Sequence, residues 1–307
     1  MNIILFTSLV AFFVFLLILK YWINFQKSKG IGKYIRKEGP SSHFQKSGTP
    51  VMGGIIFLIV SIPFLFFKET FFPSLSTILF GLLGLLDDFK LMVNKDYGIR
   101  PLRKIFLSFI ITLLLYIFSF HDYKIYWGSK LIISSRIFYV ILFFVVFIAV
   151  PNAINLTDGL DGLAGGTSLI TLFFFLIYNF QFNNELTLEI SLMITALIAF
   201  LWFNSHPAEI FMGDVGAFAL GGFIASLSII NKVELLLVFL GGIFLIESLS
   251  VFIQVFFYKW KKRRVFLMSP LHHHFELKGW KETKVVWRFY IIHLIMMIGG
   301  IILWNLT

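Results

Sequence analysis

Ten apolar blocks divide the chain, at residues 3–22, 52–67, 72–86, 102–120, 131–150, 163–180, 186–203, 215–231, 234–257 and 286–305. A helix needs roughly 17–25 such residues to cross the hydrocarbon core of a bilayer. Within that core each backbone N–H and C=O must be satisfied by the segment itself, which favours helices. A soluble fold would have to expose sheets of Phe and Leu, because 58% of the residues are hydrophobic and only 14% are charged. The expected fold is therefore all-α: a polytopic helical integral membrane protein of about ten transmembrane helices, with residues 1–307 forming one domain. The second and third blocks are short and are separated by Lys68, Glu69 and Thr70. A re-entrant hairpin is one arrangement there, and two spans is the preferred one because the loop charges then alternate.

With the N-terminus outside, the inner loops hold 21 of the 26 basic residues, in the stretches Lys20 to Lys46, Lys90 to Lys104 and Lys259 to Arg288. Only Lys68, Lys124, Lys130, Arg136 and Lys232 fall outside. Basic residues collect on cytoplasmic loops, so both termini are expected outside the cytoplasm of a bacterial inner membrane. The net charge of +10 is read as the same bias and not as a nucleic-acid surface. Asn2 to Lys20 has the look of a signal peptide. A basic loop follows it, and no small-residue cleavage site does, so it is read as a retained span. There is no cysteine, which excludes disulfides, thiol catalysis and thiolate metal sites.

Ionisable residues at membrane depth are costly and mark function by default. The unusual polar motifs all fall at inner span ends. Asp87 and Asp88 end the third block, with Lys90 two residues on. Adjacent carboxylates repel unless a cation or proton relieves them, and oxygen ligands suit magnesium; a solvated span end is an equal alternative for this pair alone. Residues 152–166, NAINLTDGLDGLAGG, combine Asn152, Asn155, Asp158 and Asp161 with glycines that admit close backbone approach. A helix cap would account for only one of those four. Residues 203–216, FNSHPAEIFMGDVG, carry Asn204, Glu209, Phe211 and Asp214; Asp214 opens a span and has a helix cap as its plain alternative. The fourth motif, SPLHHHFELKGW, holds His272, His273 and His274. Consecutive residues of a helix cannot all face one metal and no cysteine assists, so phosphate binding or a structural turn is favoured over zinc. Aspartates, histidines, asparagines, lysines and glycine turns on one face suit phosphoryl transfer, which rests on positioning and charge neutralisation.

At these motifs, and at KSGTPVMGG from Lys46 to Gly54, the chain resembles the polyprenyl-phosphate N-acetylhexosamine-1-phosphate transferase superfamily over about residues 46–287. The NLTDGLDGLA and paired-aspartate blocks are shared across it. The SPLHHHFELKGW and FNSHPAEIFMGDVG blocks are specific to the branch acting on muramoyl-pentapeptide. Val51 stands where that branch often has Thr. The resemblance implies UDP-N-acetylmuramoyl-pentapeptide as donor and undecaprenyl phosphate as acceptor at the bilayer. The products would be UMP and lipid I, in peptidoglycan synthesis, formed with Mg2+ in a cleft at the cytoplasmic face. It implies Asp158 as magnesium ligand, with Asp214 a second candidate, and Asp87, Asp88 and Asp214 as further essential carboxylates. Lys46, Gly159, Leu160, Asp161, Asn204 and Phe211 would form the nucleoside pocket. His272, His273 and His274 would lie beside the pyrophosphate, and Asn155 and Lys90 would support them. Two alternatives remain: a relative transferring N-acetylglucosamine 1-phosphate, against which the two specific blocks argue, and a secondary transporter, whose carboxylates would sit at mid-membrane in repeats. Direct attack by the lipid phosphate is favoured over a phospho-aspartyl enzyme. A homodimer is compatible with the sequence but not required by it.

Overall fold

A computed structural model of the chain describes residues 2–32, 46, 48–94, 98–119, 122–180 and 185–306. Of the basic residues used to orient the chain, Lys33, Arg36, Lys37 and Lys95 lie outside the described residues. The described elements are helices except for one hairpin. The elements are α1 (Asn2–Ser28), α2 (Ile55–Ser61), α3 (Phe71–Asn94), α4 (Pro101–Phe118), β1 (Lys124–Trp127), β2 (Lys130–Ser134), α5 (Arg136–Thr157), α6 (Leu163–Phe180), α7 (Glu185–Asn204), α8 (Gly213–Ile230), α9 (Leu237–Leu240), α10 (Gly242–Lys261), α11 (Leu271–Leu277) and α12 (Glu282–Asn305). Among the described residues eight helices, α1, α4 to α8, α10 and α12, are long and apolar enough to cross a membrane. The all-α polytopic reading holds.

The blocks differ from the expected spans at three places, each for a local reason. Residues 52–67 form the seven-residue α2 and a 3-10 turn, Pro63–Phe66. Pro63 lacks the N–H that would continue the helix. This run of 12 residues rises only about 18 Å, well short of a bilayer core of roughly 30 Å. Residues 131–134, placed in a span by their hydropathy, instead form β2, paired antiparallel with β1. The loop between them is Gly128-Ser129, with Gly128 at φ 59°, a conformation that two-residue hairpin loops require. The block at 234–257 breaks at Gly241 and Gly242 into α9 and α10.

α8 is the centre of the bundle. All but the ends of its 18 residues are buried, as expected of a helix that is apolar all round. It packs along α3 and α5, with α2 and α6 beside it. Small residues set the closeness of the contact with α3. A Cβ on Gly84 would come within 2.2 Å of the Asp214 carbonyl oxygen, so the start of α8 can lie against α3 only because Gly84 has no side chain. That contact brings the end of α3 to the beginning of α8, where both carry aspartates.

Candidate active site

Three clusters lie around the C-terminal end of α5 and the loop 158–162. The first is a knot of carboxylates. Asp87 and Asp88 are buried near the end of α3. Asp88 accepts the backbone N–H of Asp214 (3.1 Å) and Val215 (3.0 Å), so it caps α8 and meets the free N–H groups at that helix start. Asp87 accepts the Ile99 N–H and an ion pair of 2.8 Å from the Lys104 ammonium, which also binds Asp214. Asn155, on α5, donates to Asp214 Oδ1 at 2.8 Å. Four helices thus supply one knot of three carboxylates, an amide and an ammonium.

The second cluster centres on Asp161. Lys46 binds Asp161 Oδ1 and Glu282 Oε1, each at 2.7 Å. His206 Nδ1 lies 2.9 Å from Asp161 Oδ2 and 3.5 Å from Glu282 Oε2. The Ala208 N–H also reaches Asp161, and the Asp161 N–H donates to Glu282 at 2.7 Å. Asn204 ties two segments together: its Oδ1 accepts the Gly162 N–H and its Nδ2 donates to the Ile210 carbonyl. Tyr290 donates to the Gly162 carbonyl at 2.6 Å. Leu160 is buried in a small core with Leu163, Ile243, Val285, Val286 and Phe289, so it anchors the loop to α10 and α12. Phe211 donates its backbone N–H to the Pro50 carbonyl at 2.8 Å, and its side chain is half-buried.

The third cluster is the histidine run on α11. His272 is buried, and its Nδ1 lies 3.2 Å from Glu247 Oε1 on α10. The Leu271 and His272 N–H groups also donate to Glu247. The Nε2 of His272 faces Gly159, where a Cβ would approach it to 2.1 Å. The ring therefore packs against the backbone of the loop 158–162. His273 Nδ1 pairs with Glu276 Oε2 at 2.8 Å. His274 Nδ1 lies 3.1 Å from the Leu267 N and accepts its proton. Burial, and then the neighbouring Lys278 ammonium, hold the His274 imidazole below its ordinary pKa, which favours the form that accepts this hydrogen bond. The three rings thus have three different partners, and among the described residues they form no group of ligand atoms close enough to hold one ion.

The loop 158–162 joins these clusters. Asp158 caps α5, its N–H bonded to the Ile154 carbonyl at 3.1 Å, and follows Asn155 by three residues; residues three apart on a helix share a face. The Lys90 side chain, near the end of α3, makes no hydrogen bond or ion pair among the described residues. For metal binding, Asp161, His206 and Glu282 have ligand atoms within 4.8 Å of one another and could hold an ion. This trio does not include Asp158, and the Lys46 ammonium already bridges its two carboxylates. The knot of Asp87, Asp88, Asp214 and Asn155 offers oxygen donors, the kind a hard divalent cation takes, and Lys104 is bound to two of its carboxylates.

Lys104, Glu247 and Glu282 escaped the sequence reading. Lys104 was counted only as one loop charge among many. Glu247 carried a usable signal, being a carboxylate inside an apolar block.

Carboxylates, an ammonium, an amide and histidines gathered near the ends of membrane-length helices suit phosphoryl transfer, which rests on positioning and charge neutralisation. Residues 70–232 match the family model described as glycosyl transferase family 4. Phospho-N-acetylmuramoyl-pentapeptide-transferases of three bacteria align along nearly the whole chain. That of Dictyoglomus thermophilum is 83% identical, covering 97% of each chain. That of Kosmotoga olearia is 43% identical over 92% of each, and that of Clostridium novyi 38% identical over 98% of this chain and 96% of its own. The chain belongs to the phospho-N-acetylmuramoyl-pentapeptide-transferase family, and it is a membrane transferase enzyme.

Proposed function

We propose that the protein transfers phospho-N-acetylmuramoyl-pentapeptide from its UDP-activated form to undecaprenyl phosphate, giving lipid I and UMP, at the cytoplasmic face of the bacterial inner membrane. The observation that carries this is the joining of the three clusters through the loop 158–162, in a chain that aligns end to end with transferases of that name. A lipid acceptor also explains why the site is built on membrane helices.

In this reading an oxygen of the lipid phosphate attacks the β-phosphorus of the donor. The bond from that phosphorus to the bridging oxygen of UMP breaks, and UMP leaves with the oxygen. Asp87, fixed by Lys104 and the Ile99 N–H, accepts the remaining acidic proton of the lipid phosphate. Lys104 offsets the repulsion among the carboxylates and adds positive potential where two anionic substrates meet. Asp158 and Asp214 are the residues assigned to hold Mg2+, which when bound would neutralise charge on the donor diphosphate. The segment Gly159-Leu160-Asp161, with Lys46, Asn204 and Phe211, receives the nucleoside. His273, on the more open side of α11, hydrogen-bonds a diphosphate oxygen. His272 positions the loop through Gly159, and His274 holds the approach to α11 through Leu267. Direct attack is favoured because the lipid phosphate is already an anionic nucleophile, and no covalent enzyme intermediate is needed.

The test uses purified protein with undecaprenyl phosphate, magnesium and either UDP-N-acetylmuramoyl-pentapeptide or UDP-N-acetylglucosamine. UMP release with the first donor only is expected. Release with UDP-N-acetylglucosamine alone would assign the chain to the other branch, and release with neither would count against the transferase reading.

A further inference from the structure

α12 begins just after a turn that carries Trp280, and the two enclose an open groove of about 260 Å³ lined by Phe275, Trp280, Arg288, Phe289, Ile291 and Ile292. Its floor is apolar and aromatic: Phe275 stacks on Trp280 with ring centroids 4.6 Å apart. Ile291 and Ile292 are exposed on α12, a helix long and apolar enough to cross a membrane. One rim is cationic. The Arg288 guanidinium lies 4.2 Å from the Trp280 ring centroid and the Lys284 ammonium 5.3 Å from it.

Lys281, Lys284 and Arg288 follow a spacing of three and four, so they share one face of the first two turns of α12. None of them, nor Lys278, forms an ion pair among the described residues. The nearby acids are already engaged: Glu282 with Lys46 and His206, and Glu276 with His273. The groove thus combines an apolar slot open to the bilayer with uncompensated positive charge at the end of a membrane helix. That pairing is complementary to an anion with a hydrocarbon tail.

We propose that this groove binds an anionic phospholipid of the leaflet at the active-site end, its headgroup phosphate between Arg288 and Lys284 and one acyl chain along Trp280, Ile291 and Ile292. Phe275 is part of α11, one residue after His274. A lipid seated there would brace the helix that carries the histidines, through the small core that Phe275 and Trp280 share with Leu160. This site does not depend on which sugar the enzyme transfers.

Lipids brominated on the acyl chain quench a nearby tryptophan, and the difference between the wild type and Trp280→Phe isolates the Trp280 signal. The protein is reconstituted in vesicles of phosphatidylcholine with a fixed fraction of phosphatidylglycerol, with one or the other lipid brominated. Phosphatidylglycerol is expected to outcompete phosphatidylcholine at Trp280 by about five-fold, the contribution of roughly one basic residue at a membrane surface. The pair Lys284→Gln with Arg288→Gln should bring the ratio to about one. The pair Lys259→Gln with Lys261→Gln, at the end of α10, should leave it unchanged. Equal quenching in the wild type would overturn the site. So would a preference that survives Lys284→Gln with Arg288→Gln, or one that the α10 pair abolishes. Reversal of the quenching by a few mole per cent of unlabelled polyprenyl phosphate would assign the groove to the acceptor lipid and overturn the phospholipid assignment.

Discussion

Two buried carboxylates and a half-buried third, Asp214, drawn together without a cation would repel one another. Here the Lys104 ammonium binds two of them, and Asp88 spends its oxygens on the N–H groups that open α8. Removing one partner of a buried ion pair costs about 3–5 kcal/mol, because the other charge is left unpaired. Lys104→Met is therefore expected to lower both turnover and thermal stability, turnover by at least about 100-fold. Asp158→Asn makes the contrasting case. It removes a charge from a loop end and not from the knot, so UMP release should be abolished while the melting temperature in detergent stays near that of the wild type. Near-normal turnover in Asp158→Asn would remove the ligand assignment. The donor set at the knot is oxygen only, so activity should require magnesium or manganese and vanish with excess EDTA. Full turnover in the chelator would take the metal out of the mechanism.

At the scale of the element, the meeting of α3 and α8 is what assembles the knot, and it depends on Gly84. Gly84→Ala places a methyl group 2.2 Å from the Asp214 carbonyl oxygen, and the helices must part to admit it. Overpacking of this kind costs typically about 1–3 kcal/mol. The expected result is a lower melting temperature together with a loss of turnover, since Asp88 and Asp214 move apart. Unchanged stability would mean that the contact yields more easily than its geometry suggests. The existence of the helices was legible in hydropathy, because a bilayer demands long apolar runs. Where the sequence reading failed, at the hairpin and at the breaks after Ser61 and Leu240, apolar character alone could not separate strand from helix or a broken helix from a continuous one. The candidate residues were legible as types, being carboxylates, amides and histidines at span ends. Their pairing was not. Nothing in the local sequence of Lys104 says that it reaches Asp87 and Asp214, and nothing around Glu282 says that it closes on Lys46. Such contacts arise from packing between helices far apart in the chain.

At the scale of the whole molecule, the division of 21 basic residues against five predicts that both termini face away from the cytoplasm. Fusing a reporter that is active only in the cytoplasm after Thr307 should give no signal, and a periplasmic reporter there should be active. The reverse result would overturn the charge-based orientation and would put the clusters on the other face. The bundle also has a temporal logic. α8 has protein on nearly every side, and 83% of its most apolar window is buried. The helices packed most extensively against it, α2, α3, α5 and α6, all precede it in the chain. During synthesis the socket is therefore made before the peg: by the time α8 leaves the ribosome, every main wall of its site has already been delivered to the membrane. A circular permutant that made α8 first would hand the bilayer a helix with almost no side built to face lipid, and that helix would have to wait there for its neighbours.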